Sequence, residues 1–499
     1  MNRWMTNALV GGVVLAAIAA CSGNDGANGA NGTNGVAGPT GPSGPAGSAG
    51  APGATGPAGA PGAGGEAGAP GEGGAPGGTV ILSERAKHGL DISPVAVSTT
   101  GKSAAAIEMI GQGSYIVNAL VGCGDCHNTP GATLKFLSGG TSFPIGANQQ
   151  VTARNLTPDA ATGMKLTEAQ FITALRTGQD FTTAGASLIV MPWASFRWMS
   201  TDDIKSIYAY LQAIPAVSNA VGADAKPTIP PLAMPTSYNE GEVTRALPPE
   251  VDGQQNPVPD PNNVMRGLAV NAVNVAAPAS VSDAALFARG SYIVNAQASC
   301  NDCHTNRDRD YQSATRQINT AAFLSGGRVF AVPPPLQPVF KIVRSMTSNL
   351  TGSSMGYFTT AGDPTISFQQ WVEEITQGVH ADMTAPKPPL AWPMPWQHFG
   401  QMTLGDLEAV YTYVRTVAQV APRTGANDKS TQEAARYCTQ TSDCNTGAGE
   451  TCNTATSECV GTPCNADADC AACQTCPAGG GTRRCIAPAS SSTCLTQGI

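Results

Sequence analysis

Gly113-Ser114-Tyr115-Ile116-Val117-Asn118-Ala119, followed by Cys123-Gly124-Asp125-Cys126-His127, decides the reading of this chain. The whole stretch returns as Gly290-Ser291-Tyr292-Ile293-Val294-Asn295-Ala296 and Cys300-Asn301-Asp302-Cys303-His304. C-x-x-C-H is the attachment spacing of a c-type haem. The two thiols of each motif form thioethers with the haem vinyl groups, and the adjacent histidine becomes the proximal iron ligand. Cys123, Cys126, Cys300 and Cys303 are therefore expected to bind two covalently attached haems, with His127 and His304 on the irons.

The repeat extends outward from the motifs. Phe136-Leu137-Ser138-Gly139-Gly140 matches Phe323-Leu324-Ser325-Gly326-Gly327, and Asn155-Leu156-Thr157 matches Asn349-Leu350-Thr351. Met191-Pro192-Trp193 matches Met394-Pro395-Trp396. The order is the same and the spacings differ by loop-sized insertions. Two copies indicate a duplication rather than a solenoid. Each unit is expected to open with a helix running into its haem motif. A middle helix follows near Thr167–Arg176 or Ser367–Thr376, where Thr167 with Gln170 and Ser367 with Gln370 form capping-box patterns. A closing helix spans Thr201–Ala213 or Leu404–Thr416, with Ser200–Asp203 and Thr403–Asp406 as caps. Ile204, Ile207, Tyr208 and Leu211, like Leu407, Val410, Tyr411 and Val414, fall on one helical face. Gly113 and Gly290 would let the first helix approach the last. The fold class is mainly α: two small all-α domains wrapped around haem, with long irregular loops.

Met191 and Met394 are the candidate sixth ligands. Each lies in a Met-Pro-Trp loop at the same distance before its closing helix. A thioether sulfur is a soft, neutral ligand that raises the haem potential relative to a second histidine. Met199 and Met402 also align but sit against the helix caps as core residues, and Met383 and His380 are rivals in the second unit alone.

With these residues in view, the chain resembles the c-type cytochrome superfamily. It is most similar to the multihaem cytochrome subunits of membrane-associated alcohol, aldehyde and gluconate dehydrogenases. The resemblance is carried by Gly-x-Tyr before each haem motif, Asn155-Leu156-Thr157-Pro158-Asp159, Arg176-Thr177-Gly178, Met191-Pro192-Trp193 and Tyr208-x-Tyr210-Leu211, and it covers about Gly111–Val217 and Ala288–Val417. It implies that electrons leave a dehydrogenase cofactor and pass through successive haems. Here the second unit lacks Pro-Asp after Asn-Leu-Thr, and Thr376-Gln377-Gly378 replaces Arg-Thr-Gly.

The flanks are additions to that pattern. Arg3 and the apolar run Ala8–Ala20 read as a signal peptide, and Ile18-Ala19-Ala20-Cys21 resembles a lipobox with Cys21 as the lipidated residue. Glycine then recurs at every third position from Gly23 to Gly77. Strict glycine periodicity is what a collagen triple helix requires. Such a stalk would reach about 160 Å at roughly 3 Å per residue. A flexible tether is the alternative, and a homotrimer is the consequence of the first reading. Ten of the fifteen cysteines crowd between Cys438 and Cys494, implying an oxidising compartment and up to five disulfides. The Cys470-Cys473-Cys476 spacing leaves a metal site as the rival.

The expected organisation of the 499 residues is a signal peptide over 1–20, lipidated cysteine and stalk over 21–80, and a first cytochrome c domain over 81–221. A Pro-rich extended linker over 222–280, a second cytochrome c domain over 281–423 and a disulfide-rich module over 424–499 complete it. The formal net charge of −8, with charged residues at 12%, argues against nucleic acid as a partner. Redox proteins and, through Cys21, a lipid membrane of the bacterial cell envelope are the expected partners, on the periplasmic or the outer side. An electron carrier is the leading function. A dihaem peroxidase, which needs an open iron position, and a trimeric surface adhesion protein are the competing classes.

Overall fold

The computed structural model describes residues 82–129, 135–146, 148–240, 243–250, 261–273, 281–305, 320–326, 328–331, 337–340, 342–351, 366–381, 390, 393–417, 435–436, 438–444, 451–455, 457–460, 463–464 and 483–484. The expected signal peptide, Cys21, the collagen-like stalk, Met383 and the tail cysteines beyond Cys464 lie outside these residues. Both haem-motif segments fall within one unit, Val80–Ile499.

Helix α1 (Glu84–Asp91) packs on α2 (Ala104–Tyr115), and the serines preceding them, Ser83 and Ser103, cap them by accepting from Ala86 and Ala106 N–H. Side-chain oxygens suit this position because the first turn leaves donors without helical partners. α2 then widens into a π-helical stretch, Ile116–Val121. The cause is legible in the repeat: the Asn118 amide donates to the Ser114 carbonyl four residues back, to Ser114 Oγ and to Tyr210 Oη. A side chain that takes a ladder carbonyl loosens the α pattern. Gly122 ends the stretch at φ 63°, and the short helix α3 (Cys123–His127) carries the first motif.

A hairpin of β1 (Ser142–Gly146) and β2 (Gln149–Thr152) follows. Then come α4 (Glu168–Thr177), the single-turn α5 (Trp193–Phe196) and α6 (Thr201–Leu211). Both halves of the Thr167–Gln170 capping box are made. Ile204, Ile207 and Leu211 are buried, each stabilising by about 1.5–3 kcal/mol relative to exposure. A Cβ on Gly113 would lie 1.8 Å from the Ser206 carbonyl oxygen, so α2 and α6 cross backbone to backbone as expected.

A second hairpin, β3 (Ser237–Glu240) with β4 (Val243–Ala246), closes on the first unit. Trp198 meets Tyr238 edge-on at 4.8 Å and donates through Nε1 to Glu240 Oε1 at 2.9 Å. Helix α7 (Pro261–Ala269) then packs on α8 (Val281–Tyr292). The segment 222–280, read as an extended, partly ordered connection, thus holds β3, β4 and α7. α7 is too short to show a sustained period, and tertiary packing carries it. A Cβ on Gly267 would lie 1.9 Å from the Ala288 carbonyl oxygen.

The second unit repeats the plan. α8 widens at Ile293–Gln297, where Asn295 donates to Ser291 and Tyr413 as Asn118 does in the first. α9 (Cys300–His304) carries the second motif. β5 (Val329–Ala331), α10 (Gln337–Phe340) and β6 (Ile342–Met346) lead to α11 (Phe368–Gln377), α12 (Trp396–Phe399) and α13 (Leu404–Thr416). β7 (Ala435–Arg436) joins β6, tying the tail to the second unit.

The tail holds the pairs β8 (Thr451–Asn453) with β9 (Glu458–Val460), and β10 (Pro463–Cys464) with β11 (Arg483–Arg484). Two interleaved disulfides are formed there, Cys438–Cys452 and Cys444–Cys459. No helix among the described residues is long and apolar enough to cross a membrane.

The two units grip each other reciprocally. Tyr115 at the end of α2 accepts from Thr403 N–H at 2.9 Å and donates to Asp406 at 2.8 Å, closing the N-terminus of α13. Tyr292 at the end of α8 accepts from Ser200 N–H at 2.7 Å and donates to Asp203, closing α6. His88 on α1 reaches the Gln401 carbonyl at 2.7 Å, and Arg266 on α7 donates to the Trp198 carbonyl at 3.2 Å. Each unit's entry helices thus cap the other's closing helix.

Candidate functional site

Short helices α3 and α9 present the four motif cysteines as free thiols, all half-buried. Burial pushes the Cys123 and Cys300 thiols up to about 12 and Cys126 to about 11. They are therefore protonated at neutral pH. Structural zinc and iron–sulfur centres need thiolates, which electropositive surroundings stabilise. These thiols have the opposite environment.

The histidines show the same device twice. His127 Nδ1 donates to the Arg154 carbonyl at 2.8 Å, and His304 Nδ1 donates to the Ser348 carbonyl at 2.9 Å. Burial lowers both imidazole pKa values, with the carbonyl contacts opposing, so both rings are neutral. With Nδ1 committed as donor, Nε2 carries the lone pair a metal would take. The neighbouring loops hold the acceptors. Asn155 Oδ1 accepts from Thr157 N–H and Oγ1, Asn349 does the same for Thr351, and Leu156 and Leu350 donate to Leu137 and Leu324. Leu137 and Leu324 both sit at positive φ, 53° and 54°, fully buried. Such strain in a bulky residue persists only where the surroundings impose it.

The Met-Pro-Trp loops are pinned by their tryptophans. Trp193 lies against Gly178 and Trp396 against Gly378, and a Cβ on either glycine would be 2.2 Å from the indole. Both glycines end the middle helices at positive φ, 76° and 67°. Trp193 Nε1 donates to the Leu188 carbonyl at 2.9 Å. In the first unit Arg176 donates to the Arg197 and Met199 carbonyls, fixing the segment between Met191 and α6. Met191 and Met394 are half-buried against the core, while Met199 and Met402 are buried.

In the second unit these elements surround a cavity of about 140 Å³. Cys300, Cys303 and His304 line it together with Met394, and Trp371, Phe399 and Leu407 are among its apolar walls. A neutral histidine with a bare Nε2, two free thiols and a thioether around a largely apolar cavity fit a covalently attached haem.

Several residues of the site escape sequence reasoning. The central Asp of each motif reaches across the unit boundary. Asp125 lies 3.1 Å from His398 Nδ1, and Asp302 accepts from Ser195 Oγ at 3.2 Å. Ser195 and His398 hold matching places after Met-Pro-Trp, so aligning the repeat would have paired them. His380 stands with its Nδ1 3.6 Å from Glu374 Oε1, and Glu374 lines the second cavity.

No protein-family model matches the chain. Among curated proteins it is similar to the fructose dehydrogenase cytochrome subunit of Gluconobacter japonicus, 27% identical over 229 residues, 44% of this chain and 38% of that protein. The cytochrome c subunit of alcohol dehydrogenase (quinone) of Gluconobacter oxydans is 28% identical over 227 residues, 44% of this chain and 40% of that protein. The gluconate 2-dehydrogenase cytochrome c subunit of Pantoea cypripedii is 28% identical over 224 residues, 44% of this chain and 43% of that protein. The similarity is distant, and the chain spans about two fifths of the length of these relatives.

Proposed function

We propose that this chain is a dihaem c-type cytochrome that carries electrons in the bacterial cell envelope. The observation behind this reading is the repeated geometry of Cys-x-x-Cys-His: in both units the motif histidine gives its Nδ1 proton to a backbone carbonyl and keeps Nε2 for a metal. Cys123 and Cys126 would hold one haem by thioethers, with His127 and Met191 on its iron. Cys300 and Cys303 would hold the other, with His304 and Met394. When bound, each haem supplies an iron that exchanges one electron between ferric and ferrous states. The chain supplies the rest. Backbone carbonyls orient the imidazoles, glycine-seated tryptophans hold the methionine loops, and the apolar walls exclude water and limit reorganisation.

The similarity to dehydrogenase cytochrome subunits supports a dehydrogenase as electron donor, with a second redox protein as acceptor. The Cys21 lipid, the collagen-like stalk and a homotrimer built on it belong to the same proposal. Their warrant is the sequence: a lipobox-like cysteine and unbroken glycine periodicity from Gly23 to Gly77. The reading is tested by mixing the reduced holoprotein with a one-electron acceptor and, separately, with hydrogen peroxide. Rapid oxidation by the first and no turnover of the second are expected. Peroxide turnover with a high-spin iron would replace the carrier by a peroxidase.

A further inference from the structure

The two haem sites match in ligands but not in charge. Aligning α4 with α11 through their capping boxes and terminal glycines sets Phe171 against Trp371, Leu175 against Ile375, and Ala174 against Glu374. Glu374 is 2% exposed and lines the same cavity as His304 and Met394. Its Oε1 faces His380 Nδ1 at 3.6 Å, and His380 is 4% exposed. At the place of His380 the first unit has Asp180, which Lys226 engages at 2.5 Å within a network that also takes in Asp224 and Arg154. Where the second unit sets Glu374 on its cavity wall, the aligned position of α4 in the first unit is Ala174.

We propose that Glu374 sets the second haem site at the lower potential of the two, so that electrons run from the second unit to the first. The inference rests on the dihaem reading above. A charge in a low-dielectric wall acts strongly on a neighbouring charge, because little solvent screens it. Ferric haem carries one more positive charge than ferrous haem. A carboxylate beside it favours the ferric form and makes the iron a better donor. Ala174 gives the first haem no such partner. The step itself is one electron leaving one iron and arriving at the other, with no bond made or broken.

The test is a redox titration of the full-length holoprotein, followed by absorbance, for wild type and Glu374→Gln. Haem per chain is quantified in each sample, so failure of the dihaem reading shows as missing haem, separately from any potential. Wild type is expected to show two one-electron waves. In Glu374→Gln the lower wave should move up, shifting its equilibrium by about tenfold, ~59 mV for one electron, while the upper wave stays. Glu374→Met removes the charge with an apolar side chain of similar length and should move the same wave in the same direction. It covers the case in which the amide variant fails to load haem. Two haems per chain with unmoved waves in a loaded variant, or movement of the upper wave instead, would overturn the assignment.

Discussion

Replacing Asp406 by Asn is the perturbation that tests the packing of the two units most sharply. Asp406 lies at the N-terminus of α13, 2% exposed, and is held from both units. Arg289 of the second unit grips it with Nε and Nη2, each at 2.9 Å, while Arg85 and Tyr115 of the first reach it at 3.2 and 2.8 Å. Burial alone would raise its carboxyl pKa, but Arg289 and Arg85, with hydrogen bonds from Arg289 and Tyr115, hold it well below the usual carboxylate range. The amide keeps the shape and loses the charge, leaving two buried guanidinium groups uncompensated. Breaking one side of a buried pair costs about 3–5 kcal/mol, and the retained amide oxygen places the expected loss near 3 kcal/mol. Urea unfolding of the holoprotein should show it as a lower midpoint at unchanged slope. The pH dependence follows from the depressed folded value. The contribution is complete above the unfolded pKa near ~3.9 and is lost as pH falls through that value toward the lower folded one. Asp406→Asn should therefore flatten the acid limb of the stability profile. A loss under ~1 kcal/mol, the size of an exposed pair, would refute a desolvated network across the unit boundary.

Two further outcomes are expected. Gly178→Ala puts a Cβ 2.2 Å from the Trp193 indole at a φ of 76°, so it should dislodge the Met191 loop and weaken the far-red band of methionine–iron(III) ligation. Left-handed backbone adds about 1–2 kcal/mol of strain, and an unchanged oxidised spectrum would contradict the role given to Trp193. Removing the Cys438–Cys452 disulfide, which closes a separation of 14 residues, should cost the tail about 3 kcal/mol. Hydrogen exchange should register this across 438–460, and unchanged protection there would contradict the bridge's part in holding the tail.

The sequence is most legible where one residue type has one job. The capping serines and threonines and the helix glycines Gly113 and Gly290 do in the structure what their chemistry demands. The contacts between units were hidden for the opposite reason. Tyr115 and Tyr292 stood out only as part of the Gly-x-Tyr pattern, and Asp203 and Asp406 read as helix caps, because each meets its partner only after the two units dock. Helix α7 was hidden by its length and its Pro- and Asn-rich surroundings. The match of Gly89-Leu90 to Gly267-Leu268 is the signal that would have extended the repeat to include it. Glu374 drew no notice because a single glutamate on an amphipathic helix looks like a solvated face. Only the cavity shows that it points inward. In the tail, cysteine spacing implied bridges but could not choose among pairings, since pairing depends on which strands lie side by side.

Haem per chain, measured with the oxidised and reduced absorption spectra of the purified full-length protein, tests the central claim most directly. Two covalently bound low-spin haems, with the far-red methionine band when oxidised, are predicted. His127→Ala and His304→Ala should each disturb one haem and leave the other. A protein matured in a haem-competent host that carries no covalent haem, or whose two histidine variants leave the spectrum unchanged, would contradict it.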